Sequence, residues 1–249
     1  MENIISCDWL SFTGHLTYQK NGYHYPITNG KYTTSYEEKG TAVYKCLQKY
    51  SKNNMVYFTV LFNPRASFLP YYSCQVKLDN HVLYSNELET TLKDIFECGI
   101  QFHCLTRLDL CIDFIRFDNN MSPSKFIELI MKNKIFKLRK GDGYTFYKSH
   151  HDIEFTGISF GKKSSICHWR LYNKSLELRE VKDKYYIRQL WKNNGYNEEE
   201  GDVWRLEMEL KDISTINLSY NNISNVFDDI FSVVTGVHYY FIFNYFLER

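Results

Sequence analysis

Apolar positions recur along the chain with two periods. Short aromatic or β-branched runs at Trp9–Thr13, Met55–Phe62 and Tyr71–Lys77, separated by Asn, Gly and Pro, predict strands. Thr106–Arg116, Tyr144–Lys148, Ile153–Phe160, Ile166–Lys174 and Val203–Leu210 read the same way. Helical spacing appears at Leu88, Leu92, Ile95 and Phe96, with Asn86 as N-cap, Glu87 and Glu89 in the first turn and Gly99 as the stop. Ser122-Pro123 opens a second helix whose apolar face is Phe126, Ile127, Ile130 and Met131. A polar helix over Tyr185–Asn194 and an acidic loop, Glu198–Glu200, follow, and the chain reads as helical from about Asn221. The most apolar run, Ile230–Leu247, contains His238 and Asn244 and reads as a buried helix rather than a membrane span. Strands interleaved with a few helices predict an α+β fold, a largely antiparallel sheet with helices packed on one face. The expected division is a main domain over 1–215 and a helical segment over 216–249 packed on it.

Composition adds little until it is resolved along the chain. The 249 residues are 44% hydrophobic and 24% charged, which suits one large folded domain and excludes a disordered chain. Net charge is +1, so the whole chain is no polycation, and the unusual figure is 17% aromatic residues. Between Lys132 and Lys184, however, 13 Lys and Arg face 6 Asp and Glu, and Tyr144, Tyr147, Trp169 and Tyr172 lie among them. Cations interleaved with rings suit single-stranded nucleic acid, whose phosphates pair with the former and whose bases stack on the latter. A solvated basic face is the plainer alternative. Seven cysteines without a Cys-x-x-Cys pair exclude a zinc ribbon and predict a reducing compartment. No secretory signal is seen at the N-terminus.

The chemistry lies in which residues share a strand face. Side chains two apart point the same way. In Arg107–Phe114 one face is Arg107, Asp109, Cys111 and Asp113, and the other is wholly apolar. Two carboxylates then stand about 7 Å apart along one strand. Val203–Leu210 repeats the pattern with Arg205, Glu207 and Glu209, and Arg170, Tyr172 and Lys174 share a face of the third strand. Each strand alone is an ordinary amphipathic strand with one face in water. If the three polar faces meet, the carboxylates suit a hard divalent cation, the cations a phosphate, and the phenol an in-line attack on phosphorus.

These residues carry a family resemblance. Asp8–Thr13 resembles the opening strand of the Rep_trans-type replication initiators of rolling-circle plasmids and phages, a group that includes relaxases of conjugative elements. Arg107–Asp113 resembles its carboxylate strand. Phe160–Ser165 followed by Arg170-Leu171-Tyr172-Asn173-Lys174 resembles its Gly-Ser turn and Arg-x-Tyr-x-Lys strand, and Arg205-Leu206-Glu207 its late Arg-x-Glu strand. The four stretches stand in family order. The resemblance implies a metal-dependent, site-specific DNA endonuclease and strand transferase. It forms a covalent 5′-phosphotyrosine at an origin hairpin, with Mg²⁺ or Mn²⁺ assisting. The implied nucleophile is Tyr172, with Arg170 and Lys174 handling the phosphate. Asp109, Asp113 and Glu207 become metal ligands, and Arg107, Lys162, Lys163 and Arg205 contact DNA. A host helicase and a second copy of the chain are implied partners, and the cytoplasm of a bacterial host the implied location, with no membrane.

The sequence departs from that pattern at two positions. Phe114 stands where the family tends to have a second acidic residue, and Ser159 where it tends to have a tyrosine. Tyr147 and Tyr144 therefore remain alternative nucleophiles, and a non-catalytic origin-binding relative remains an alternative function. No His-x-His pair is present, His150-His151 reads as a solvated turn, and His103 and His168 read as structural. Gly141-Asp142-Gly143 is a turn with no Walker pattern. Cys111 shares the carboxylate face but has no base partner specified.

Overall fold

The computed structural model describes residues 3–117, 120–134, 144–148, 154–165 and 167–211. The segment from Asn221, the run Ile230–Leu247, a boundary at 215, His150-His151 and the Gly141–Gly143 turn lie outside the described residues. Among the described residues no helix is long and apolar enough to cross a membrane.

The fold is α+β. Its elements are β1 (Ile4–Leu16), β2 (Gln19–Lys20), β3 (Tyr23–His24), β4 (Thr33–Glu37), β5 (Tyr44–Lys52), β6 (Met55–Pro64), β7 (Ser73–Leu78), α1 (Asn80–Leu83), α2 (Leu88–Glu97), β8 (Ile100–Phe114), α3 (Pro123–Met131), β9 (Tyr144–Lys148), β10 (Phe155–Phe160), β11 (Cys167–Asn173), α4 (Lys174–Glu180), α5 (Tyr185–Asn193) and β12 (Trp204–Lys211). Ten strands form one sheet in the order β4-β5-β6-β7-β1-β8-β12-β11-β10-β9. Each described pairing is antiparallel. The long central strands β1 and β8 run side by side, and β12 enters between β8 and β11.

Alternation divides the sheet into two unlike faces. On one, Leu108, Leu110 and Ile112 of β8, Leu206 and Met208 of β12, and Leu171 of β11 are buried. Burying each such side chain contributes roughly 1.5–3 kcal/mol. Helix α2 belongs to this face: its Asp94 holds the Tyr32 hydroxyl, and Tyr32 packs edge-on to Phe58 of β6. Helix α3 packs against β10, and its Phe126 contacts Phe117, which contacts Phe114. The opposite face carries the charged residues. One end of it is covered by α4 and α5, whose Leu178, Ile187 and Trp191 share a buried cluster with Ile4 and Val203.

Two local features differ from the reading of the sequence. Strand β8 starts at Ile100, six residues before the expected strand, because Gly99 at φ 76° both ends α2 and turns the chain straight into the sheet. Lys174 is the first residue of α4 rather than the last of a strand: Asn173 acts as N-cap, its side chain accepting from the Leu176 amide at 2.8 Å.

The β1–β8 pairing carries three register shifts, at Cys7/Trp9, Ser11/Phe12 and Thr13/Gly14. Such bulges let two successive residues point to one side. Here they add Asp8, Thr106 and His103 to the polar face: Asp8 reaches Arg205, Thr106 reaches Ser11, and His103 stacks on His15.

Candidate active site

Strand register brings the three polar faces together. Across β8, β12 and β11 the rows read Asp113–Arg205–Tyr172, Cys111–Glu207–Arg170 and Asp109–Glu209–His168. Residues directly opposite have Cβ atoms roughly 4.5–5.5 Å apart, within side-chain reach.

Tyr172 stands at the centre of the middle chemistry. Its hydroxyl donates to Glu207 Oε2 at 2.9 Å and accepts from Lys174 Nζ at 3.3 Å. The guanidinium of Arg170 lies 5.3 Å from the Tyr172 ring centroid and pairs with the other Glu207 oxygen. The Arg170 Nε is buried and has no hydrogen-bond partner among the described residues. Burial first, and the Glu207 carboxylate second, push the phenol well above its ordinary range. The tyrosine is nonetheless partly exposed. Gly157 lies opposite it on β10, and a Cβ there would come within 3.0 Å of Tyr172 Cβ. The missing side chain makes room for the ring.

The neighbouring row is a closed ionic core. Arg205 is wholly buried; its Nε and Nη2 donate to the two oxygens of Asp113 at 2.6 and 2.7 Å, and its Nη1 to Asp8 at 2.9 Å. Trp191 of α5 donates to Asp113 Oδ2 at 2.7 Å, and Tyr84 donates to Asp8 Oδ1 at 2.7 Å. Burial alone would raise Asp8, but Arg205, Lys174, Lys184 and the Tyr84 hydroxyl outweigh it and hold the carboxyl below its usual range. Arg205, expected to contact DNA, is instead enclosed here, because two carboxylates and the α5 indole seal its surroundings. Asp113 is enclosed with it and presents no free oxygen. Asp8, Tyr84 and Trp191 escaped the reading of the sequence. Asp8 sits in the opening-strand motif, but alternation places it opposite Trp9, and no local signal marks the other two.

Asp109 occupies a third environment. Arg107 grips both its oxygens, at 2.8 and 2.5 Å, and lies 4.5 Å from the Trp9 ring centroid. Burial outweighs that ion pair, with Glu207 and Glu209 adding to it, and the Asp109 carboxyl is pushed up to about 6. An acid with a folded pKa above its unfolded value, 3.8, binds an extra proton when folded. Stability therefore falls as pH rises from about 4 to about 6, by about 3 kcal/mol at roughly 1.4 kcal/mol per unit. Asp109→Asn is expected to remove this fall. Urea denaturation at pH 4.5 and 7 should show the variant gaining on the wild type at the higher pH; parallel curves would mean that Asp109 ionises normally.

Whether these carboxylates fit a metal follows from their partners. Both oxygens of Asp109, Asp113 and Glu207 already accept from arginine, indole or phenol donors. Among the described residues no group of three or more His, Cys, Asp and Glu side chains is placed to hold a metal ion. The three share a sheet face but, as they stand, do not fit a divalent cation, and no chemical step is derived through one. Burial raises the Cys111 thiol to about 12, so it stays protonated and is no nucleophile. His168 is buried and held below its ordinary range chiefly by desolvation, with its Nδ1 unpartnered 3.8 Å from Glu209. Lys162 and Lys163 are exposed in the β10–β11 turn. Ser159, at the position of the second family tyrosine, is buried opposite Arg170, and Tyr147 lies beyond Gly157 on β9, 44% exposed.

The chain is similar to the solved structure of a rolling circle replication initiator protein from Geobacillus stearothermophilus, with 14% sequence identity and a TM-score of 0.46. That similarity covers 85% of this chain and 76% of the other. No protein-family model matches the sequence, and no curated protein matches it.

Proposed function

We propose that this protein initiates rolling-circle replication by nicking one DNA strand at an origin hairpin and holding the 5′-phosphate on Tyr172. The observation that carries the reading is a phenol hydrogen-bonded to a buried carboxylate and bracketed by two cations. Because the phenol is held protonated at neutral pH, it needs a base, and Glu207 already accepts its hydrogen bond. As the Tyr172 oxygen attacks phosphorus, the proton passes to Glu207, the bond from phosphorus to the 3′-oxygen breaks, and that oxygen takes a proton from solvent. Arg170 stabilises negative charge on the phosphorane oxygens, while Lys174, buried and paired with Glu177 at 2.7 Å, holds the Tyr172 hydroxyl. The phosphotyrosine keeps the energy of the broken ester for later strand transfer.

A second reading has its own observation. The ion-paired state of Asp109, Asp113 and Glu207 also suits an origin-binding relative without nicking activity. The test is incubation with supercoiled and single-stranded DNA containing the candidate origin, with Mg²⁺, Mn²⁺ or chelator. A detergent-stable protein–DNA adduct, mapped by peptide mass spectrometry to Tyr172, supports nicking. An adduct on Tyr147 or Tyr144 overturns the assignment, and binding without an adduct under any condition supports the second reading. A relaxase of a mobile element would perform the same chemistry on a transfer origin.

The base assignment has its own expected result. Glu207→Gln keeps an acceptor for the phenol but cannot take its proton. Nicking should slow by about 10²- to 10⁴-fold while oligonucleotide binding is kept. An unchanged nicking rate would remove Glu207 from that role.

A further inference from the structure

The polar face continues past the tyrosine as an open shelf. Following the register across strands, one row reads Ser35 (β4), Lys49 (β5), Thr59 (β6), Lys77 (β7), Ser11 (β1), Arg107 (β8) and Lys211 (β12). Directly paired residues share a face, so four cations stand in one line across the strands. At about 4.8 Å per strand the line from Lys49 to Lys211 is roughly 24 Å long. It then meets the β10–β11 turn, where the Lys163 carbonyl accepts from Lys211 Nζ and the Lys163 side chain is exposed.

Arg107 holds Asp109 and Lys211 pairs with Glu209 at 2.9 Å, while the two lysines nearer β4 are weakly committed. Lys49 pairs with Glu37 at 2.6 Å, but both side chains are about two-fifths exposed, a setting in which such a pair contributes little. Lys77 is partly exposed and has no ion pair among the described residues. Beside the row the face carries hydroxyls, an amide and rings: Thr13, Thr106 and Gln75, then His15 stacked on His103 at 4.9 Å and edge-on to Tyr72 at 5.0 Å. His103 is exposed, and Trp9 lies beneath the Arg107 guanidinium.

A row of cations bordered by accessible rings matches one ligand chemistry: phosphates at regular spacing with unpaired bases beside them. We propose that this shelf binds the single-stranded DNA flanking the scissile phosphate. Backbone phosphates lie along Lys49, Lys77, Arg107, Lys211 and Lys163, and bases stack on His15, His103 and Tyr72. A track of this length holds about four to six nucleotides, the low end of sites on open β faces. Duplex DNA keeps its bases stacked inside and cannot use the rings. The inference rests on the nicking reading for the purpose of the strand, and its test requires no cleavage.

The test uses the full chain and a fluorescent oligothymidine of twelve nucleotides, with anisotropy read from 50 to 300 mM salt in chelator. Lys77→Glu is expected to weaken binding at least 5-fold, and Lys77→Ala to lower the salt slope by about 0.7, one phosphate contact on a single strand. His103→Ala should weaken binding about 5-fold with the salt slope unchanged, because stacking releases no counterions. Lys93→Glu, on α2 and so on the other side of the sheet, should stay within 2-fold. Equal losses in Lys93→Glu and Lys77→Glu, or no loss in Lys77→Glu, overturn the shelf. So does the same dependence on Lys77 and His103 for a hairpin-free duplex. An unchanged melting temperature shows that Lys77→Glu is folded. Loss of nicking with this binding pattern intact counts against the proposed function alone.

Discussion

Tyr172→Phe is expected to abolish the covalent protein–DNA adduct and lower nicking by about 10⁴-fold or more, the scale seen when a nucleophile is removed from a site whose groups act together. The ring stays, so packing against Gly157 and under Arg170 is kept. What is lost is the hydrogen bond to Glu207 and the one accepted from Lys174, for which about 1–3 kcal/mol of stability is at stake. Oligothymidine binding should remain within about 2-fold, since no ring or cation of the shelf is touched. Tyr147→Phe is the paired control and should nick normally: its phenol lies two strands away, beyond Gly157, and the structure gives it no carboxylate partner among the described residues. Adduct formation by Tyr172→Phe, or its loss in Tyr147→Phe, would move the nucleophile.

The second large effect concerns stability rather than chemistry. Arg205→Met leaves the Asp113 carboxylate buried without a cation and Asp8 with only Tyr84 and Asn80 as hydrogen-bond donors. Removing one partner of a buried pair costs about 3–5 kcal/mol, because the charge left behind is uncompensated. At 2–4 °C per kcal/mol in a domain of this size, the melting temperature should fall by roughly 10 °C. Combining Arg205→Met with Asp113→Leu should recover part of the loss, since the stranded charge goes too. A wild-type melting temperature for Arg205→Met would show that the buried pair contributes nothing. The contrast with Arg170 is instructive. Both arginines hold a carboxylate across β11 and β12 or β8 and β12, but Arg170 is 40% exposed and Arg205 is wholly buried. One can meet a phosphate; the other holds the end of the sheet together.

This difference also shapes which parts of the site were readable beforehand. The Arg-x-Tyr strand, the Asp-x-Cys-x-Asp strand and the Arg-x-Glu strand each announced a polar and an apolar face, and β8, β11 and β12 keep those faces. The helices over Leu88–Glu97 and Pro123–Met131 were legible from apolar spacing, and Asn173 as a cap was missed because the Arg-x-Tyr-x-Lys pattern reads through it. The resemblance implied a metal at Glu207, whose strand β12 lies beside the aspartates of β8. In the structure both Glu207 oxygens are taken, one by Arg170 directly opposite it and one by the Tyr172 hydroxyl.

Sequence by itself determined which side chains share a face of β11 and β12 and where α2, α3 and α5 lie, because side-chain alternation and helical periodicity are local properties of the backbone. Only the tertiary structure decided that β12 lies between β8 and β11, so that Glu207 meets Tyr172. It alone set the bulge that turns Asp8 toward Arg205 and the row from Lys49 to Lys211. Those outcomes depend on pairing between strands about a hundred residues apart and on what α5 covers. The energy that selects among such pairings is spread over the whole sheet, and no short run of residues encodes it.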